Sequence, residues 1–242
     1  MRIPKQTTHA NNSAPDVICA LGRGIERVQT SAGERWRPTR YIEAVDDQGR
    51  HTGYRKRDAS MNDNNSLIAG ANANVLALCE RWKQCRLLPH RLPVIVFAAG
   101  RPAYLSRAAP LLTEGFILSE VFRRRARAED CEMVVLAQNR NTKDDIFECA
   151  RLAAERKLRD LEVITVSVHV ERVAEFVRLA QGERPQLRFH LLASEDILRR
   201  RYARFMKFEA AYKEARASRA YLRTAAREAG GIEALRAGRY RY

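Results

Sequence analysis

Five short apolar runs recur along the chain: residues 17–21, 94–99, 133–137, 163–168 and 187–192. Most are continuous rather than alternating, which is typical of strands buried on both faces of a parallel sheet. Each run is followed by a loop and a stretch of helical periodicity. The pattern therefore predicts an α/β protein with a Rossmann-like open, mostly parallel five-stranded sheet and helices on both faces.

Four helices are predicted between these runs. The first covers residues 67–85, where Leu67, Val75, Leu78 and Trp82 recur at helical spacing. The others are expected within 105–125, over 142–159 and over 169–181. Residues 40–45 and 50–57 flank Asp46-Asp47-Gln48-Gly49, a plausible hairpin turn. Residues 28–65 are therefore predicted to be a hairpin-containing insertion.

Beyond Ser194 the chain becomes helical and basic. Residues 197–242 contain 13 Lys/Arg against 4 Glu, a net charge of +9. One helical face is apolar, which predicts that this segment docks on the core or on a partner. The residues of that face are Leu198, Tyr202, Phe205, Phe208 and Tyr212. Gly230-Gly231 is expected to end the helix, and residues 236–242 are expected to be a flexible end.

The bulk composition fits one main folded domain. Of 242 residues, 45% are hydrophobic and 30% charged. We divide the chain into a flexible N-terminus (1–15), the Rossmann-like domain (16–196) and a basic helical extension (197–242). No stretch approaches the roughly 20 apolar residues of a membrane span, and the start is polar. A cytoplasmic protein without membrane contact is expected.

The five cysteines show neither CxxC pairing nor metal-like spacing with histidine, which predicts reduced thiols and no metal site. The net charge of +15 is compatible with nucleic-acid binding, because lysine and arginine displace counterions from phosphate backbones. A generic basic surface produced by an arginine-rich composition explains the charge equally well. The candidate nucleic-acid contacts are Arg199, Arg200, Arg201, Arg204 and Lys207.

In an open parallel sheet, ligands bind beyond the carboxyl ends of the strands. Gly22 and Gly24 follow the first run and Gly100 follows the second, where glycines would let a phosphate approach the backbone. The third glycine of GxGxxG and the lysine of a P-loop are both missing. A tight turn leaving the strand is the alternative interpretation.

The third and fourth runs are followed by polar clusters. Asn139, Asn141 and Thr142 lie at a predicted helix N-terminus, which favours an anion. The alternative is a capping box formed by Thr142 and Asp145.

His169 and Arg172 are three residues apart, so they would share a helix face, with Ser167 beside them. They could bind an anion, or His169 could serve as a catalytic acid or base. A surface histidine beside a salt-bridged arginine is the alternative. We expect the Asn139–Thr142 and Ser167–Arg172 clusters to meet.

The order of these clusters resembles the YdcF/SanA/ElyC-like family, a bacterial domain of unknown function. The matching residues are Leu21-Gly22, Ala99-Gly100, Arg140-Asn141-Thr142 leading to Asp145, and Val166-Ser167 leading to His169 and Arg172. Residues 114–122 correspond to the family's Glu-rich helix. Ala99 replaces the family's serine and Asp145 its asparagine.

The resemblance covers about residues 16–196 and is to the soluble, YdcF-like branch. It implies a Rossmann-like fold with a pocket for a small anionic or nucleotide-like ligand, such as a nucleotide or an S-adenosylmethionine-like compound. Two further hypotheses remain. One is a nucleic-acid or ribonucleoprotein scaffold with a degenerate ligand site, and the other is a protein-interaction module that uses Tyr202, Phe205 and Tyr212 of the tail.

Overall fold

A computed structural model describes residues 14–39, 70–89, 91–101, 112–201 and 206–240. Five parallel strands form its main sheet, in the order β5-β4-β1-β6-β7. They are β1 (Val17–Leu21), β4 (Val94–Ala98), β5 (Met133–Val135), β6 (Asp160–Thr165) and β7 (Arg188–Ala193). The predicted Rossmann-like α/β fold is confirmed, and all five predicted strands are present.

Helices cover both faces of the sheet. They are α1 (Ala71–Cys85), α2 (Glu114–Ala126), α3 (Thr142–Glu155), α4 (Val170–Glu183) and α5 (Ser194–Arg201). Alternate residues of β1 point to opposite layers, as the period of a strand requires. Ile18 and Ala20 pack with α1, α2 and α5, whereas Val17, Cys19 and Leu21 pack with α3 and α4. Since β1 is buried on both faces, its sequence is apolar throughout.

Side-chain caps fix where two of the helices begin. The Thr113 hydroxyl accepts a hydrogen bond from the Phe116 amide at the start of α2, and the Asn141 side chain accepts one from the Asp144 amide at the start of α3. The predicted Thr142–Asp145 capping box is therefore wrong. Asn141 caps α3, which leaves both Thr142 and Asp145 available for other contacts.

A small antiparallel hairpin lies between β1 and α1. Its strands are β2 (Ile25–Thr30) and β3 (Gly33–Pro38), and Gly33 adopts a φ of +104° in the turn. The sequence analysis did not predict this hairpin, because few of its residues are apolar and its strands are largely half-exposed. The hairpin predicted around Asp46–Gly49 lies outside the described residues, as do residues 1–13.

The basic extension packs on the core. After α5, it forms α6 (Met206–Ala217) and α7 (Arg219–Arg236), and α7 lies against α4 and the short 3-10 turn Ser167–His169. Tyr212, Tyr221 and Ile232 are buried. Of the two predicted docking surfaces, the core and a partner, the described residues of this segment pack on the core. Residues 202–205 of the predicted apolar face lie outside the described residues.

One expectation for the chain end was wrong. α7 continues through Gly230-Gly231 to Arg236, because both glycines fit the helix without needing a positive φ. Within the predicted flexible end, the Tyr240 ring packs edge-on against Phe176, with centroids 5.8 Å apart, and residues 241–242 lie outside the described residues.

The five cysteines are free and buried. Across the described part of the chain, no helix has both the length and the apolar character that crossing a membrane requires.

Candidate functional site

The order of the strands creates a crevice beside β1. From β1 the chain adds β4 and then β5 on one side, and afterwards β6 and β7 on the other. The order in which strands are added to the sheet therefore reverses between β1 and β6. Ligands of open α/β sheets bind at such a switch point, outside the carboxyl ends of the strands. In this protein, Arg23 follows β1, and His169 and Arg172 follow β6.

Arg23 is fixed through its backbone. Its amide donates to the Glu114 carboxylate at 2.5 Å, and its carbonyl accepts from the Thr39 hydroxyl at 3.1 Å. Thr39 also accepts from the Ala71 amide and so ties this loop to the start of α1. The Arg23 side chain is held at the carboxyl end of β1, where it is 6% exposed.

His169 links the carboxyl end of β6 and the start of α3 to Arg172. Its Nδ1 lies 3.1 Å from the Thr165 hydroxyl, and its Nε2 lies 2.9 Å from Nη2 of Arg172 and 3.3 Å from the Thr142 hydroxyl. A guanidinium only donates, so Nε2 must accept from Arg172 and Nδ1 must carry the proton. The expected meeting of the two polar clusters takes place between Thr142 and His169.

The surroundings of His169 keep it neutral. Burial lowers the pKa of the imidazole well below its usual range, and the nearby charges of Arg172, Arg23 and Arg227 lower it further. The Nε2 lone pair already accepts from Arg172. In this arrangement His169 orients Arg172, and a role in proton transfer would require Arg172 to turn away first.

A carboxylate from α7 occupies the centre of the crevice. Glu228 Oε2 lies 2.7 Å from Nε of Arg172 and 3.9 Å from Nε2 of His169, and Glu228 Oε1 lies 3.5 Å from Nη1 of Arg23 and 3.9 Å from Nη2 of Arg227. The Glu228 side chain is only 4% exposed. We call these five residues the arginine cluster.

Gly22 and Gly24 belong to a second group of contacts, on the β4 side of β1. The Glu114 carboxylate accepts from the amides of Arg23 and Gly24, and Gly24 adopts a φ of +99°. A Cβ at Gly22 would lie 2.6 Å from both the Ala99 Cβ and the Glu114 carboxyl. The close approach that these glycines permit is therefore made by side chains of the protein itself.

Gly100 has a similar reason to be glycine. A Cβ there would lie 1.6 Å from the Asn139 carbonyl oxygen, so the loops after β4 and β5 touch through their backbones. The Asn139 side chain donates to Asp145 at 2.9 Å. Burial raises the pKa of the Asp145 carboxyl well above its usual range, and the charge of Glu114 raises it further. We call Gly22, Gly100, Glu114, Asn139 and Asp145 the glycine cluster.

Ser167 is held by the C-terminal part of the chain. Its amide donates to Glu195 at 2.7 Å, and its hydroxyl lies 3.2 Å from the Tyr221 hydroxyl of α7. Tyr221 packs beside the crevice, and Glu228 does so two turns later in the same helix. Ser167 therefore connects the end of β6 to α7.

Part of the predicted nucleic-acid surface is engaged in ion pairs. Arg199 binds Glu209 at 2.8 Å, and Arg201 lies 3.2 Å from Glu80. Arg200 is exposed. Arg204 and the side chain of Lys207 lie outside the described part of the chain.

Four main partners of the predicted site residues were not predicted as site residues: Arg23, Thr165, Glu114 and Glu228. Arg23 was identified only as part of the cluster Gly22-Arg23-Gly24, directly after the central strand. Glu228 gave a weaker signal, as one of 4 glutamates in a strongly basic segment. Its position over the switch point depends on how α7 docks, which no local pattern encodes.

Within the described residues, no group of three or more His, Cys, Asp and Glu side chains is arranged to hold a metal ion. The chain matches no protein-family model, no curated protein and no solved structure. The inference about function therefore depends on the arrangement of charges at the switch point.

Proposed function

We propose that this protein binds a small anionic ligand, with phosphate or carboxylate chemistry, in the crevice between β1 and β6. The observation that carries the proposal is the arginine cluster, in which guanidinium groups from three separate elements converge on one buried carboxylate oxygen pair. A carboxylate and a phosphate present similar oxygens to arginine, so a ligand anion could take the same position.

The fixed orientation of the Arg172 guanidinium supports the proposal. Its guanidinium donates to neutral His169 at 2.9 Å and to the Tyr240 hydroxyl at 3.3 Å, so its direction is set before an anion arrives. A donor that is already oriented loses less conformational entropy when it binds. The arginine cluster is also largely buried, and a buried environment strengthens each interaction between opposite charges.

The location agrees with what the resemblance to YdcF-like proteins implies, namely a small anionic or nucleotide-like ligand at the carboxyl ends of the strands. A nucleotide would bring a phosphate to the arginine cluster, as would an inorganic phosphate or a sugar phosphate. We propose binding rather than a defined reaction, since His169 is engaged with Arg172.

Calorimetric titration of the full chain with inorganic phosphate and with adenosine monophosphate tests the proposal. We expect saturable binding that Arg172→Gln weakens by about tenfold or more, the effect of losing one charge-assisted hydrogen bond. Arg178→Gln is the matched control, because Arg178 lies on the same helix with 69% of its side chain exposed. It should leave the affinity unchanged.

Two outcomes would contradict the proposal. One is the absence of saturable phosphate binding in every folded variant that keeps Arg172. The other is binding of short RNA that falls steeply with added salt and is unaffected by Arg172→Gln, with no binding of either small anion. That second result would favour the basic surface of the C-terminal segment as the functional feature.

A further inference from the structure

Glu228 places a carboxylate where the proposed ligand's anion would bind. Its two oxygens contact Arg172 at 2.7 Å and Arg23 at 3.5 Å, and the side chain is 4% exposed. A ligand anion that took the position of this carboxylate would use the same guanidinium groups. The anion and Glu228 must therefore compete, if the proposed function holds.

The helix that carries Glu228 contacts the rest of the protein both beside the crevice and further along α4. Tyr221 lies against Ser167 at 3.2 Å, and Arg236 pairs with Glu175 of α4. Gly231 lies beside Arg172, since a Cβ there would be 3.5 Å from the Arg172 Cδ. Arg172 thus contacts α7 at successive turns, and it is the residue through which an anion could loosen the helix.

We infer that α7 regulates the anion site: the Glu228 carboxylate acts as a built-in substitute for the ligand, and an incoming phosphate or carboxylate displaces it and loosens α7. The inference rests on the proposed function. It explains why a glutamate from a strongly basic segment is buried among arginines. It also assigns the C-terminal segment a role in controlling the site on the Rossmann-like domain.

The competition has a measurable consequence. A ligand that must first displace Glu228 binds with an apparent affinity reduced by the fraction of molecules in which the site is closed. Replacing Glu228 by glutamine removes the competing charge and keeps the shape of the side chain. The apparent affinity for inorganic phosphate should then rise by about tenfold, which lies within the range of typical coupling between sites.

The experiment titrates inorganic phosphate into wild type, Glu228→Gln and Glu233→Gln, the last being an exposed glutamate of the same helix. Sodium chloride keeps the ionic strength constant. We expect tighter binding by Glu228→Gln alone, and loss of that gain when Arg172→Gln is added. Equal phosphate affinity in wild type and Glu228→Gln would overturn the inference while leaving the proposed anion site intact. Absence of binding in all three proteins would overturn the proposed function itself.

A second measurement uses wild type only, in case Glu228→Gln does not fold. Amide hydrogen exchange over residues 219–236 should become faster when phosphate is added and remain unchanged with chloride at the same ionic strength. Saturable phosphate binding that leaves this exchange unchanged, or slows it, would show that the ligand and α7 bind together. That result would overturn the inference.

Discussion

Different kinds of contact cover the carboxyl end of the sheet on the two sides of β1. On the β4 side, the glycine cluster closes the sheet edge with backbone contacts: Gly100 lies against the Asn139 carbonyl, and Glu114 accepts from two loop amides. On the β6 side, the arginine cluster closes it with charged side chains around Glu228. Backbone contacts without space for a Cβ cannot be exchanged for a ligand, whereas a carboxylate held by arginines can.

The comparison distinguishes packing contacts from the proposed ligand site at the carboxyl end of the same sheet. Both sides contain buried carboxylates. On both sides, residues directly after a strand were predicted to be ligand contacts. Only the β6 side combines positive charge with an occupant from a separate helix. The comparison indicates that glycines after a strand, taken alone, are weak evidence for a phosphate site, because close packing between loops requires them equally.

The largest effect should come from filling the space on the β4 side. Gly100→Ala would place a Cβ 1.6 Å from the Asn139 carbonyl oxygen, where only backbone movement can relieve the clash. We expect a loss of about 3 kcal/mol or more in the free energy of unfolding, measured by urea denaturation. Gly182→Ala is the control, since its Cβ would contact nothing. A folded Gly100→Ala protein of wild-type stability would contradict the role given to the glycine cluster.

The β6 side should also be sensitive, but to charge. Arg172→Gln removes the closest cation from the buried Glu228 carboxylate and the donor from His169. The Glu228 carboxylate then keeps only Arg23 and Arg227, at 3.5 and 3.9 Å. Breaking a buried ion pair by removing one partner is strongly destabilising, and we expect a loss of about 3 kcal/mol in the free energy of unfolding. Arg178→Gln should cost less than about 0.5 kcal/mol, because its ion pair is exposed. Equal losses in these two variants would show that the cluster is not energetically distinct.

The pH dependence of stability probes His169. Its pKa is lowered in the folded protein, so below about pH 6.5 the unfolded chain binds a proton that the native state does not. Stability should be constant in this respect above pH 6.5 and fall by up to about 1.4 kcal/mol per pH unit below it. The check is the difference in free energy of unfolding between wild type and His169→Gln from pH 5 to 8. A difference that stays constant across this range would contradict the neutral, Arg172-bound imidazole.

The smallest effect concerns the docked helix. Gly230 lies within α7, and a Cβ there would contact nothing. Since glycine lowers helix stability relative to alanine, Gly230→Ala should raise the free energy of unfolding by about 0.5–1 kcal/mol. Urea denaturation measures the change. A destabilised variant would mean that the region around Gly230 needs the flexibility of glycine.

The fold was predictable because its signal is local and repeated. Continuous apolar runs such as Val17–Leu21 fall within the core strands, and the residues after them lie at the sheet edge. His169 and Arg172 were identified for the same reason, since they follow a strand directly. The β2–β3 hairpin was missed because its residues are mostly polar.

The rest of the site could not be predicted because it depends on contacts between distant parts of the chain. Glu228 reaches Arg23 across 205 residues, through a helix whose docking surface is formed by tertiary packing. Gly230-Gly231 predicted a helix end on local propensity, yet contacts between α7 and α4 keep the helix intact. The proposed anion site depends on these long-range contacts.

The crystal structure of Glu228→Gln grown with inorganic phosphate would test the central claim most directly. The account predicts a phosphate ion between β1 and β6, within hydrogen-bonding distance of the Arg172 and Arg23 guanidinium groups, and displacement of α7 from its position over the crevice. A crevice that remains closed by α7, with phosphate absent from the arginine cluster, would contradict it.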